Sequence, residues 1–185
     1  MKKDNKNFYL TKAEIKKIKK AETFYELVIV GRGILNRMEC PVAQVCGPIS
    51  TGGNGSVEEN LNILTKAIEF LTEKGISVFN QLPFERTFDK IMKNYKTSGY
   101  DTPILEEFYG PIFESGKIKN IYFLPGWQKS VGAKWEYNYA KRLGIKTIMF
   151  PNKWHGIPQN KEQAKKALEE LKTLQGRIKN EYEII

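Results

Sequence analysis

The spacing of apolar residues changes along the chain, and each spacing predicts an element. From Val57 to Leu71 the positions Val57, Leu61, Leu64, Ile68 and Leu71 step by four and three, the stripe of an amphipathic helix. Ser56 and Glu59 form a capping-box pattern at its start, and Lys74-Gly75 supplies a stop. Before it, Val42 to Cys46 is a short run broken only by Gln44 and reads as a buried strand. After it, Ile76 to Phe79 reads as another. Strand, helix and strand in that order make a βαβ unit, which requires parallel pairing and a right-handed crossover. The alternation resumes with a strand at Ile121 to Leu124, a helix from Val131 to Leu143 ending at Gly144, and a strand at Lys146 to Phe150. A long polar helix is expected from Asn160 to about Lys179. Between the two halves, the aromatic-rich stretch 81–116 predicts helices near Phe84 to Tyr95 and Ile104 to Ser115, joined by Thr97-Ser98-Gly99. At least four parallel strands interleaved with helices predict an α/β three-layer sandwich.

The first forty residues read differently. Thr11 and Glu14 are a capping-box pattern opening a short helix with Ile15 and Ile18 on one side. The segment LVIVGRGIL, Leu27 to Leu35, is apolar and interrupted by two glycines, so strand and buried turn both remain open. Residues 1–40 are therefore expected as a basic appendage, and 41–185 as the α/β domain.

Composition narrows the chemistry. A chain of 185 residues is one ordinary domain. No apolar run is long enough to span a bilayer, and the basic start at Met1 to Asn7 leads into lysines and not into a leader's apolar core, so a cytoplasmic protein is expected. The single histidine, His155, and two cysteines, Cys40 and Cys46, exclude multi-histidine metal sites, structural zinc and a disulfide framework; no cofactor is expected. The net charge is +9, but residues 1–20 hold eight lysines against Asp4 and Glu14, leaving the remaining chain nearly balanced. Arginines number five, and no aromatic-interleaved basic stripe exists, so a solvated arm is a better reading than nucleic-acid contact.

In a parallel sheet, ligands bind beyond the carboxyl ends of the strands, which singles out loops 47–55, 80–86 and 125–132. The glycine-rich STGGNGS is neither a P-loop, lacking the lysine, nor a dinucleotide fingerprint, since Asn80 stands where the acid belongs. The helix after the third loop is more informative. Gly132, Glu136, Ala140 and Leu143 share a face, which places a carboxylate among the small and apolar positions that should meet the sheet.

These residues carry a resemblance. Cys46-Gly47-Pro48-Ile49 at the end of the first strand, the strand ending near Asn80, and LPGWQKSVGAKWEYNYAKRLG from Leu124 to Gly144 resemble the nucleoside 2-deoxyribosyltransferase-like superfamily over residues 41–150. The pattern LPGW…S.GA..E is shared with a branch of bacterial and phage proteins. The resemblance implies a flavodoxin-like or Rossmann-like fold, assembly as a homodimer or larger homo-oligomer, and cleavage or transfer at the N-glycosidic bond of a nucleoside or nucleotide. The family's catalytic glutamate falls on Glu136. Where members have an aspartate before the third core strand and an aromatic residue before the first-motif glycine, this chain has Lys119-Asn120 and Gln44. Asp101 is therefore the candidate acid, with Tyr100 beside it to stack on a base; a helix-start aspartate is its alternative. Further ligand contacts are expected from Gln44, Gly47, Pro48, Ile49, Asn80, Trp127, Lys129, Ser130 and Gly132. Trp127 reads equally as a packed loop aromatic, Ser130 as a helix cap, and Cys46 as a small buried residue. A non-catalytic nucleotide-binding protein of the same fold is the rival reading.

Overall fold

Capping boxes open the first three helices, α1 (Lys12–Lys20), α2 (Phe24–Arg37) and α3 (Val57–Glu73). At Thr11, Thr23 and Ser56 the hydroxyl accepts the N–H three residues on, and Glu14, Glu26 or Glu59 reaches back to the cap. Each cap contributes about 1 kcal/mol. The second box explains LVIVGRGIL: the segment is the body of α2, and its glycines do not break it. Gly31 is where α2 presses on its neighbour, since a Cβ there would lie 2.7 Å from Ile112 Cδ1. These elements belong to a computed structural model that describes residues 10–49, 56–95 and 102–151. Most of the glycine-rich loop, Tyr100, Asp101, His155 and the expected last helix lie outside the described residues.

The sheet consists of β1 (Val42–Cys46), β2 (Ser77–Val78), β3 (Ile118–Phe123) and β4 (Lys146–Met149), in the order β2-β1-β3-β4 with every pair parallel. Three-layer α/β architecture follows. This is the flavodoxin type of strand order, and its direction reverses between β1 and β3. Register places Gln44 beside Ile121 and Cys46 beside Phe123, so the carboxyl ends of both strands finish side by side at the reversal. β3 starts three residues earlier than its apolar run: Ile118 and half-buried Asn120 pair with Val42 and Ala43, while exposed Lys119 between them falls at a shift of register.

Alternate strand residues feed two cores. Ala43, Val45, Tyr122, Leu124 and Ile148 pack under α3 with Leu64, Ala67, Ile68 and Leu71. Val42, Cys46, Ile121 and Phe123 face the other layer, shared by α2, α4 (Glu85–Met92), α5 (Gly110–Glu114) and α6 (Val131–Arg142). An appendage is not what residues 12–37 form: Ile18, Phe24, Leu27 and Leu35 are buried in this second core with Phe84, Phe88 and Phe108. The lysines of α1 lie on its outer face while Ile18 points in, which is how a helix of low mean hydropathy joins a core. Thr87 and Lys90 of α4 tie back to it by donating to the carbonyls of Ile18 and Ala21.

Ahead of α5, Ile104–Tyr109 is π-helical. Pro111 has no N–H to give, and its ring crowds the carbonyl four residues before it, so a wider turn is accommodated there. Bonding over five residues puts Ile104 and Tyr109 on one side, where both meet the cavity described below. No helix among the described residues is long and apolar enough to cross a membrane.

Candidate functional site

The loop leaving β1 turns sharply over Leu124, just past β3. A Cβ on Gly47 would lie 2.8 Å from Leu124 Cδ1 and 2.9 Å from its Cβ, so only glycine lets the two strand ends close up. Ile49 is then held by Asn60 of α3, whose Nδ2 donates to its carbonyl (2.9 Å). We expect Gly47→Ala to force Leu124 aside and to lower stability by about 1 to 3 kcal/mol, typical of overpacking. A thermal melt checks this, and an unchanged midpoint contradicts the close approach.

Opposite this loop, Gly126 takes a left-handed φ of 82° and Trp127–Lys129 form one 3-10 turn leading into α6. Ser130 is the N-cap, its Oγ accepting from the Ala133 N–H at 3.3 Å. The inward face of α6 is Gly132, Ala133, Glu136 and Ala140; small residues on either side let the helix sit close to the sheet and carry Glu136 into the interior, 7% exposed. Leu143, expected on that face, lies beyond the last helical turn and is exposed.

Glu136 reaches the end of β1, where the Cys46 thiol bonds to its carboxyl. Burial pushes the Glu136 pKa up to about 8; the Cys46 contact opposes this, and the nearby Glu85 carboxyl adds to it. Cys46 is itself pushed well above the usual thiol range, first by burial and then by Glu136, so it remains an S–H and not a thiolate nucleophile.

Both groups face a cavity of about 410 Å³ at the carboxyl edge of the sheet. Its walls come from the loop after β1 (Cys46, Gly47, Ile49), α3 (Val57, Leu61, Leu64), the turn after β2 and α4 (Gln81, Glu85, Arg86, Phe88, Asp89), the π-helical segment (Ile104, Leu105, Tyr109) and α6 (Ser130, Gly132, Ala133, Glu136). Glu85 is also pushed up, to about 7, by burial and then by Asp89. The volume and the apolar walls with few polar groups suit a small organic ligand. Among the described residues no cluster of histidine, cysteine and carboxylate side chains could hold a metal ion.

The structure thus gathers Gly47, Ile49, Ser130, Gly132 and Glu136. The other expected contacts lie elsewhere. Gln44 is fully buried within β1, two residues short of its end, donating to Cys46 Sγ. Pro48 is buried off the cavity wall. Asn80 caps its own turn, accepting from the Leu82 N–H, and opens on a separate groove along α3. Trp127 packs on Phe123 and Tyr137, with ring centroids 5.0 and 4.6 Å away, and so is a packed loop aromatic. Lys129 is exposed on the turn ahead of α6 and does not line the cavity. Tyr100 and Asp101 fall outside the described residues.

Sequence reasoning missed Gln81, Glu85, Arg86 and Asp89. In PFERTFD Glu85 sits at the start of an amphipathic helix, where a carboxylate is favoured on helix-dipole grounds alone, and Asp89 is one turn on at an exposed position, so nothing local marks them. Only the fold brings α4 against Glu136.

A family model described as a domain of unknown function, DUF4406, matches residues 113–150, from the end of α5 through β3 and α6 to β4. No curated protein and no solved structure matches the chain.

Proposed function

We propose that the chain acts on the N-glycosidic bond of a nucleoside or nucleotide, with Glu136 at the anomeric carbon. The observation that carries this reading is a carboxyl held out of water on the wall of a ligand-sized cavity, at the point where strand order reverses. The resemblance of Leu124 to Gly144 to nucleoside 2-deoxyribosyltransferase-like proteins supports it, since the matching glutamate is the one the fold buries there.

The chemistry suits the environment. Breaking the bond builds positive charge on the sugar, and an anionic carboxylate in a site of low dielectric stabilises or traps it far better than one in water. Burial lets Glu136 hold its proton up to about pH 8, so developing positive charge on the sugar must favour its ionised form. The thiol of Cys46 then serves as a neutral donor that holds the carboxyl in place. Hydrolysis follows if water takes the sugar, and transfer if a second base does. The reading also needs an acid to protonate the departing base; Asp101, which the sequence nominates, lies outside the described residues.

The reading is tested by incubating the chain with nucleosides and their 5′-monophosphates and measuring free base. The turn before α6 makes a further prediction. Ser130 and Gly132 at the helix start form an end of the cavity where a 5′-phosphate would meet N–H groups and a hydroxyl. A monophosphate should be preferred over its nucleoside, and Ser130→Ala should shrink that preference by about 1 kcal/mol in kcat/KM. Equal use of both ligands by the wild type contradicts a phosphate site.

A further inference from the structure

Gln81, in the turn after β2, is 2% exposed, lines the cavity, and leaves its carbonyl oxygen without a partner among the described residues. Its amide is oriented, because Nε2 donates to the Val45 carbonyl at 2.8 Å, so Oε1 is the free end. Buried side-chain acceptors are nearly always satisfied, and an oriented one left open on a cavity wall awaits an N–H or O–H from a ligand. Four residues on, Glu85 has Oε1 out of water and equally without a partner among the described residues, on the same cavity as Glu136.

We infer that Glu85 is the leaving-group acid of this site, giving its proton to the departing base while Gln81 accepts an N–H of that base. The inference rests on the reading of Glu136 given above, and it moves the acid role from Asp101 to α4. In the first step the bond from C1′ to the base nitrogen breaks and its electron pair stays with the base. The Glu85 proton moves to the base, and a Glu136 oxygen bonds to C1′ or holds it as an ion pair. Glu85 is then a carboxylate. In the second step it takes a proton from water as the oxygen of that water bonds to C1′, which frees Glu136 and restores both groups. In transfer, the N–H of an incoming base replaces water.

The geometry explains why two acids share one cavity. Like charges at close quarters cannot both be ionised cheaply, so the pair holds one proton over a range of pH. Without substrate that proton stays on Glu136, whose pKa is the higher of the two; the reactive arrangement, with Glu136 ionised and Glu85 protonated, is favoured as positive charge develops on the sugar beside Glu136. The other groups facing Glu85 are Asp89, which disfavours its ionisation, and Arg86 beside it on α4 at the cavity wall.

The test compares leaving groups. One substrate is the fastest member of a panel of common ribo- and deoxyribonucleosides and their monophosphates, whose bases need a proton to depart. The others are 7-methylguanosine, its 2′-deoxy form and 4-nitrophenyl β-D-ribofuranoside, whose leaving groups do not. Glu85→Gln in the full chain should slow the first by about a hundredfold or more and the activated substrates by no more than about threefold. Retained turnover of the activated substrates also shows that the variant is folded. Equal losses in a variant with a normal melt overturn the assignment and leave Glu136 untouched. Absence of base release by the wild type from every substrate overturns the underlying reading and this one together. Where Glu85→Gln does not fold, the wild type carries the test through its pH profile. Turnover of the unactivated substrate should fall on the alkaline side while that of the activated ones stays level, and identical profiles overturn the assignment.

Discussion

Glu136→Gln should keep the fold and ligand binding and lower turnover by about a thousandfold or more. The substitution preserves the shape of the side chain, and an amide can still accept from the Cys46 thiol, so the packing of α6 on the sheet should survive. What it removes is the capacity to become an anion beside the anomeric carbon. An interaction made mainly in the transition state appears in kcat and in kcat/KM to a similar degree, while the dissociation constant of a bound nucleoside moves little. At 1.36 kcal/mol per tenfold, a thousandfold loss corresponds to about 4 kcal/mol, within the range found for removing one electrostatic stabiliser from a catalytic site. Turnover near the wild-type value in a folded variant would contradict the glycosidic mechanism.

The same substitution should alter how stability depends on pH. In the folded chain the Glu136 carboxyl keeps its proton to about pH 8, whereas an unfolded glutamate releases it near 4.5. Between those values the unfolded state binds fewer protons than the native state, so the contribution of this group to stability is full below about 4.5 and is lost as pH rises through about 8. The linkage over that interval amounts to ~5 kcal/mol as an upper figure. Glu136→Gln has no proton to lose. It should therefore be more stable than the wild type by a few kcal/mol near pH 8.5, with the advantage gone near pH 5. Urea denaturation of both proteins at the two pH values checks this, and parallel profiles would mean that Glu136 is not held in an environment hostile to its charge. A residue that weakens the fold where it works is expected of a catalytic group and not of a structural one.

The sequence was most legible where local and global signals agree. The helix from Val57, its cap at Ser56 and the strand Val42–Cys46 appear as read, because one side of α3, through Leu64, Ile68 and Leu71, meets one sheet; Val57 at the helix start is exposed, and the strand read as Ile76 to Phe79 is only Ser77–Val78. Glu136 was legible for the same reason: a carboxylate at a small-residue face of a helix is a visible conflict between pattern and burial. The N-terminal forty residues misled because charge dominated the reading. Eight lysines suggested a solvated arm, whereas Ile18 and the apolar face of α2 anchor both described helices in the core. LVIVGRGIL was ambiguous because Ile29, on the outward side of α2 with Arg32, is apolar and hides the helical period, and the capping box at Thr23 and Glu26, one turn upstream, was the signal that resolves it. The departures at the site have a different origin. Gln44 faces the same layer as Cys46 but lies two residues deeper in β1, and Asn80 follows the end of β2 in a turn that holds its side chain on the Leu82 N–H; depth within a strand and the course of a turn do not show in the residue types. Gln81 and Glu85 could not be recognised, because their significance lies in an orphaned carbonyl and a shared cavity that exist only once β2, α4 and α6 are assembled.

The most direct measurement of the central claim is a combined product and adduct assay on the wild-type chain. Purified protein is mixed with common nucleosides and their 5′-monophosphates, free base is measured by chromatography, and the peptide containing Glu136 is weighed after rapid quenching. The account predicts release of free base from at least one member of the panel, abolished by Glu136→Gln. For members that form an ester, it also predicts a mass increase of one sugar, or sugar phosphate, on that peptide. Saturable binding with no free base from any nucleotide or nucleoside would contradict it and identify the chain as a binding protein.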